Sequence, residues 1–370
     1  MSTNNAYGQM KGTKGMTAGA VGMMLLLLSV VASLAIGSVM LPMGEITRIL
    51  LHQLPGVNSL IPVTWDESST QIMLNVRLPR VILALLVGAS LGIAGAAFQG
   101  VLRNPLADPY TLGVSSGASV GAAILIYFGL QYSWLGQWTV PLTAFVTGVC
   151  TLVIVLQMAR ENGKIPIETL ILSGVVMQAF LGSIVSFLVA MSKQTINEIL
   201  FWVMGSLALR GWSFTGVLLP YFVVGFLVLF AYARPLNMLA LGERQAGHLG
   251  LHVERTKWIV LLTATLVTAA AVSVSGVIGF VGLVVPHLLR MIIGADYRLL
   301  IPMSAIGGAI YVLWADTIAR TLLAPTEIPL GVVTAFIGAP FFAMLLIRNK
   351  RKRRGDDANE EQGTPSKVSK

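Results

Sequence analysis

The sequence predicts an all-α polytopic membrane protein of about ten transmembrane helices, and three observations carry that prediction. Of 370 residues 55% are hydrophobic and only 11% charged, with a mean hydropathy of +0.79, a composition far from that of a soluble domain. Apolar runs long enough to cross a bilayer fall near residues 20–41, 79–98, 111–130, 138–158, 167–191, 213–233, 258–280, 300–319 and 328–347. Glycine is abundant, at 38 residues, as suits helices that approach closely in lipid.

The first run, 20–41, follows Lys11 and Lys14, is too long for the apolar core of a signal peptide and lacks a small-x-small cleavage site, so it reads as a retained span. The stretch 281–295 is short and holds Pro286, His287 and Arg290, which leaves it ambiguous by itself. Parity decides it. The chain starts with Lys11 and Lys14 and ends its last run with Arg348, Lys350, Arg351, Lys352, Arg353 and Arg354, so both ends belong in the cytoplasm. An even number of spans follows, with 281–295 the eighth of ten. That topology puts 19 of the 25 Lys and Arg residues on the inner side. Outside remain Arg48, Arg77, Arg80, Lys193, Arg210 and Arg320. The resulting organisation is a cytoplasmic segment 1–19, one transmembrane domain 20–347, and a basic, then disordered cytoplasmic tail 348–370. Two connections are long: 42–78, external, with Asp66 and Glu67, and 234–257, cytoplasmic.

The net charge of +9 resides largely in the tail block and reads as a membrane-surface anchor, with no nucleic-acid partner. Cys150 is the single cysteine, which excludes an intrachain disulfide and a cysteine metal site. His52, His248, His252 and His287 are scattered, and no phosphate loop, HExxH or nucleophile elbow occurs, so neither a metal site nor an enzyme is predicted. Asp316 is the one deep intramembrane acid; with Arg320 four residues on, it forms either a local ion pair or a coupling-ion site. Gly88, Gly92 and Gly95 make one small-residue face, and Gly113, Gly117 and Gly121 another, suited to helix packing or to lining a pathway. Ser115, Ser116, Gly117 and Ser119 are the pathway candidates, although such hydroxyls also bond to backbone carbonyls. In the inner connection, leucines 239, 241, 249 and 251 alternate with charges and with glycines 242, 247 and 250. A solvated loop has no use for those leucines. A short helix docking a partner protein, or one lying on the membrane, does.

Four blocks carry a family resemblance. "RLPRVILALLVGASLGIAGAAFQGVLRNPLADPYTLGVSSGASVGAA" (77–123), "LGERQAGHLGL" (241–251), "SVSGVIGFVGLVVPHLLRMIIGADYRLLIP" (273–302) and "ADTIARTLLAPTEIPLGVVTAFIGAPFFAMLL" (315–346) closely resemble the FecCD-type permeases, in the family's order. These are the membrane subunits of type II ABC importers for iron–siderophores, haem and vitamin B12. The resemblance implies a bacterial cytoplasmic-membrane permease that pairs with a second permease subunit, identical or paralogous, around a central pathway. It also implies two ABC ATPase subunits, which use ATP and magnesium, and an extracytoplasmic substrate-binding protein, with no cofactor bound by this chain. Carried over residue by residue, Arg77, Arg80 and Arg320 would be the outer pockets for acidic residues of the binding protein. At about 0.2–1 kcal/mol each, rim ion pairs of that kind orient docking more than they hold it. Leu241, Gly242, Glu243, Ala246, Leu249 and Gly250 would fall in the ATPase-coupling segment, about 237–254. The expected cargo is a metal chelate, ferric siderophore first, then vitamin B12 or haem. The alternative is a self-sufficient secondary carrier of a small organic solute, which needs a coupling-ion site near the bilayer midplane.

Overall fold

The computed structural model describes residues 3–37, 41–344 and 347. The basic block and tail from 348 onward lie outside the described residues. In hydrocarbon a backbone N–H or C=O has no water to bond, so apolar runs must close their hydrogen bonds internally as helices. The described chain does so, as α1 (Thr3–Ala35), α2 (Met43–His52), α3 (Glu67–Gln71), α4 (Leu78–Val101), α5 (Val114–Tyr127), α6 (Thr139–Ala159), α7 (Ile167–Met191), α8 (Ile196–Val203), α9 (Trp212–Ala231), α10 (Ala233–Leu239), α11 (Glu243–His248), α12 (Val253–Ser275), α13 (Val281–Ile293) and α14 (Tyr297–Thr321). A last apolar helix, α15, spans Leu330–Met344. Seven helical segments are long and apolar enough to cross a membrane, and three shorter apolar helices, α5, α13 and α15, accompany them. These match the ten predicted spans one for one, with 281–295 realised as α13.

Three boundaries differ from the sequence reading. Helix α1 starts well before residue 20 and stops at Ala35, short of the expected 41. The third span is only α5, because a 3-10 turn at Pro109–Leu112 and a left-handed Gly113 (φ +77°) precede it. Asp108 caps that turn, accepting the Tyr110 N–H at 2.8 Å, and the Tyr110 hydroxyl donates to the Ile278 carbonyl at 2.9 Å. Burial pushes the Asp108 carboxyl up to about 6. Finally, the 42–78 connection is not all loop: the chain is helical from Glu67 to Val101, with a π-helical stretch, Ile72–Arg77, between α3 and α4.

Helix α4 is the centre of the subunit, surrounded by α9, α12, α13 and α14. Its glycines make this possible. A Cβ on Gly88 would strike the Gly308 carbonyl, one on Gly92 the Ser304 carbonyl, and one on Gly95 Gly282. The small face is therefore a packing face, and the pairs Gly88–Gly308 and Gly92–Ser304 run in opposite directions along α4 and α14, making the two antiparallel. With 24 residues, α4 is about 36 Å long. Its two ends carry the two candidate sites.

Candidate functional site

At the N-terminal end of α4, the structure brings together Arg77, Arg80 and Arg320 and leaves them only 4%, 9% and 6% exposed. Each is committed to an internal partner. Arg80 is held by two carboxylates at once. Its Nε donates to both Asp316 oxygens at 3.0 and 3.1 Å, and Nη2 donates to Asp316 Oδ1 at 2.9 Å. On its other edge Nη1 and Nη2 donate to Glu327 at 2.7 and 2.9 Å. Asp316 thus pairs with Arg80 more closely than with Arg320, whose Nε stands at 3.8 Å from Asp316 Oδ2. The sequence neighbour at four residues was the expected partner; the antiparallel crossing of α4 and α14 supplies a better one.

Arg77 and Arg320 close helix α1, which has no basic residue in its own last turn. Arg77 Nη1 donates to the Leu34 carbonyl at 2.9 Å, and Arg320 Nη2 to the Ser33 carbonyl and hydroxyl at 2.6 and 2.9 Å. The final carbonyls of a helix lack intrahelical donors and carry the negative end of its dipole, so cations there are stabilising. Gly37 belongs to the same arrangement: a Cβ would lie 2.6 Å from Arg77 Nη2. Three guanidiniums face two carboxylates in this cluster, a formal surplus of one positive charge. Asp316 is 1% exposed, whereas the Glu327 side chain, in the connection between α14 and α15, is 37% exposed. Sequence reasoning missed Glu327; its signal was an acid beside Pro325 and Pro329, seven residues beyond Arg320.

At the opposite end of α4 lies α11. Its entry, Gly242, has φ +110°, and Gly250 beyond its exit has φ +85°, conformations in which an L side chain is strained. Ala246 is fully buried, and Leu241 and Leu249 are 58% and 60% exposed. The helix thus presses one small residue inward, while the leucines that flank it turn away from the subunit. Clefts of about 720 and 690 Å³ flank it, the first between Arg103, Ile167 and Leu241, the second between Lys164, Gly247 and Arg255. Glu243 is half-buried, lining both clefts while tied to the subunit. It reaches the buried Lys257 Nζ at 3.3 Å and Arg103 Nη2 at 3.9 Å. Lys257 also meets Glu254 at 2.9 Å and donates to the Ile165 carbonyl at 3.0 Å, while Glu254 accepts the Ile165 N–H at 3.2 Å. Ile165, immediately before α7, is bracketed on both its backbone groups. Asn237 of α10 joins α14 by donating to Asp296 at 2.7 Å and accepting the Tyr297 N–H at 3.0 Å. Arg298 beside it holds the Asp296 carboxyl below the usual carboxylate range.

The hydroxyl stretch behaves differently. Ser115, Gly117 and Ser119 are buried within the subunit and Ser116 half-buried; Gly117 and Gly121 abut Thr151 and Thr147 of α6. Those glycines serve packing. Among the described residues no group of three His, Cys, Asp or Glu is placed to hold a metal ion.

A bundle of membrane-crossing helices with a short surface helix flanked by exposed leucines at one end defines a multi-span membrane permease. The FecCD transport family profile matches residues 25–348, and the chain belongs to that family. It is 43% identical to the ABC transporter permease protein YvrB of Bacillus subtilis, over 90% of this chain and 94% of that one. The cobalamin import permease BtuC of Halobacterium salinarum is 42% identical (86% and 88% covered), and the hemin transport permease HmuU of Yersinia pestis is 42% identical (79% and 89%). Among solved structures, an inward-facing metal-chelate type ABC transporter superposes with a TM-score of 0.75 at 32% identity, covering 88% of this chain and 97% of its own.

Proposed function

We propose that this chain is the membrane-spanning subunit of a binding-protein-dependent ABC importer that carries a metal chelate inward by ATP-driven alternating access. Ferric siderophore is the first candidate cargo, followed by vitamin B12 and haem; relatives named for cobalamin and for hemin are equally similar to the chain. The observation that carries this reading is α11, with Leu241 and Leu249 exposed on either side of a short helix fixed by two left-handed glycines and flanked by clefts. That is the shape of a peg for a cytoplasmic protein, and an ATPase supplies the energy that this chain has no motif to extract. The arginine end, about one α4 length away, then faces the exterior, and its surplus positive charge suits an acidic face on a substrate-binding protein.

A second copy, or a close paralogue, would complete the pathway. An apolar groove of about 570 Å³ between α8, the α12–α13 turn and α15, lined by Met204, Val277, Phe336 and Pro340, offers a surface for it. The secondary-carrier alternative is disfavoured by Asp316, which both oxygens commit to Arg80 near the end of α14 rather than at its middle. The test is purification in mild detergent from the native membrane. A stoichiometric ATPase, with a coloured ligand on a co-purifying binding protein, is expected; a chain that repeatedly purifies alone overturns the reading.

A further inference from the structure

The buried arginine cluster holds one carboxylate that is fixed and one that is exchangeable. Asp316 lies inside the α4–α14 crossing, 1% exposed, and its removal would strand Arg80 and Arg320 in the subunit. Glu327 makes an equally good fork with Arg80, at 2.7 and 2.9 Å, but from a non-helical connection and with a side chain 37% exposed. All three nitrogens of the Arg80 guanidinium are engaged, so an incoming acid finds no free edge until Glu327 leaves. A guanidinium edge accepts one carboxylate fork at a time.

We propose that Glu327 is a displaceable internal stand-in for an acidic side chain of the docking binding protein, and that docking proceeds by exchange of one carboxylate for another on Arg80. This rests on the reading of the arginine end as the binding-protein face. The exchange keeps Arg80 neutralised throughout, so a charge already buried never has to be desolvated afresh. It also limits the net gain, because one ion pair is broken for each one formed; docking is thereby specific and readily reversed. Release of Glu327 removes one tie on the connection leading into α15, which the Ile328 N–H still anchors to the Ala319 carbonyl at 3.0 Å.

The test uses the intact permease–ATPase complex in lipid nanodiscs, with the binding protein that co-purifies with it as the probe, and reads affinity. Glu327→Gln removes the competing charge and should tighten binding roughly three- to fivefold, the scale of one partly exposed ion pair. Glu327→Asp keeps the charge but withdraws the carboxylate by one methylene, and should tighten binding about twofold on the same scale. A simple loss of surface repulsion would leave Glu327→Asp unchanged, and that result overturns the exchange. Arg80→Lys keeps the charge and loses the fork, and should weaken binding. If Arg80→Lys weakens binding while both Glu327 variants leave it unchanged or weaker, Glu327 is a structural partner only and the proposal fails, with the docking face intact. If none of the three changes affinity, the docking face itself is wrong. A thermal midpoint for each variant complex establishes that it is folded.

Discussion

Arg80 shows how one side chain ties sequence to stability in this subunit. A guanidinium cannot shed its charge, so in an apolar setting it must be paired on every edge. Asp316 and Glu327 do that, and their unequal exposure makes their removal unequal. Asp316→Ala is expected to destabilise the subunit by about 3–5 kcal/mol, the cost of stranding a buried charge. Glu327→Ala, at a partly exposed pair, is expected to cost no more than about 1 kcal/mol. Thermal unfolding of the two detergent-solubilised variants checks the order; equal midpoints would contradict it. The three arginines themselves were legible in the sequence as basic residues at span ends. Their burial was not, because it depends on the α4–α14 crossing and on the open carbonyls of Ser33 and Leu34, none of which is close in sequence. For the same reason, reversing all three arginines to glutamate would uncap α1 and crowd Asp316, and a loss of docking in that variant would not report on docking alone.

The spans themselves were the most legible elements, since about twenty apolar residues leave the backbone no alternative to a helix. Their edges were less so: the Ile72–Arg77 π stretch and the 3-10 turn before α5 are set by tertiary bonds such as Tyr110 to Ile278. The small faces left packing and pathway open, and backbone proximity decides for packing. Gly92→Leu would drive a side chain into the Ser304 carbonyl and is expected to cost about 1–3 kcal/mol or more, read as a lower thermal midpoint or lost membrane accumulation. At α11 the glycines and leucines were legible as an unusual loop, while Lys257 was not, because a lysine just before an apolar run at 258–280 looks like an ordinary interfacial anchor. The structure makes it the joint between α11, α12 and the entrance to α7. Glu243→Lys would set two ammonium groups against each other at that joint. Uptake should fall at least about tenfold, a change of 1.4 kcal/mol in coupling, while ATP hydrolysis by the assembled complex persists. Unimpaired uptake would remove α11 from the coupling route.

Across the whole molecule, the two charged assemblies sit at opposite ends of α4. The arginine cluster is fastened to α14 through Arg80 and Asp316, and α10, which leads into α11, is fastened to the other end of α14 through Asn237 and Asp296. On the proposed reading, a movement imposed at α11 would reach the far end through close-packed helices, the arrangement in which small shifts become rocking of whole halves. On that reading, such a subunit needs no catalytic residue of its own and depends on its ATPase partners for energy. The most direct measurement is ATP hydrolysis and uptake by proteoliposomes holding the chain with and without its co-purified ATPase and binding protein. The account predicts hydrolysis and uptake only in the full assembly, with hydrolysis stimulated by the binding protein. Accumulation of substrate by the chain alone, driven by an ion gradient, would contradict it.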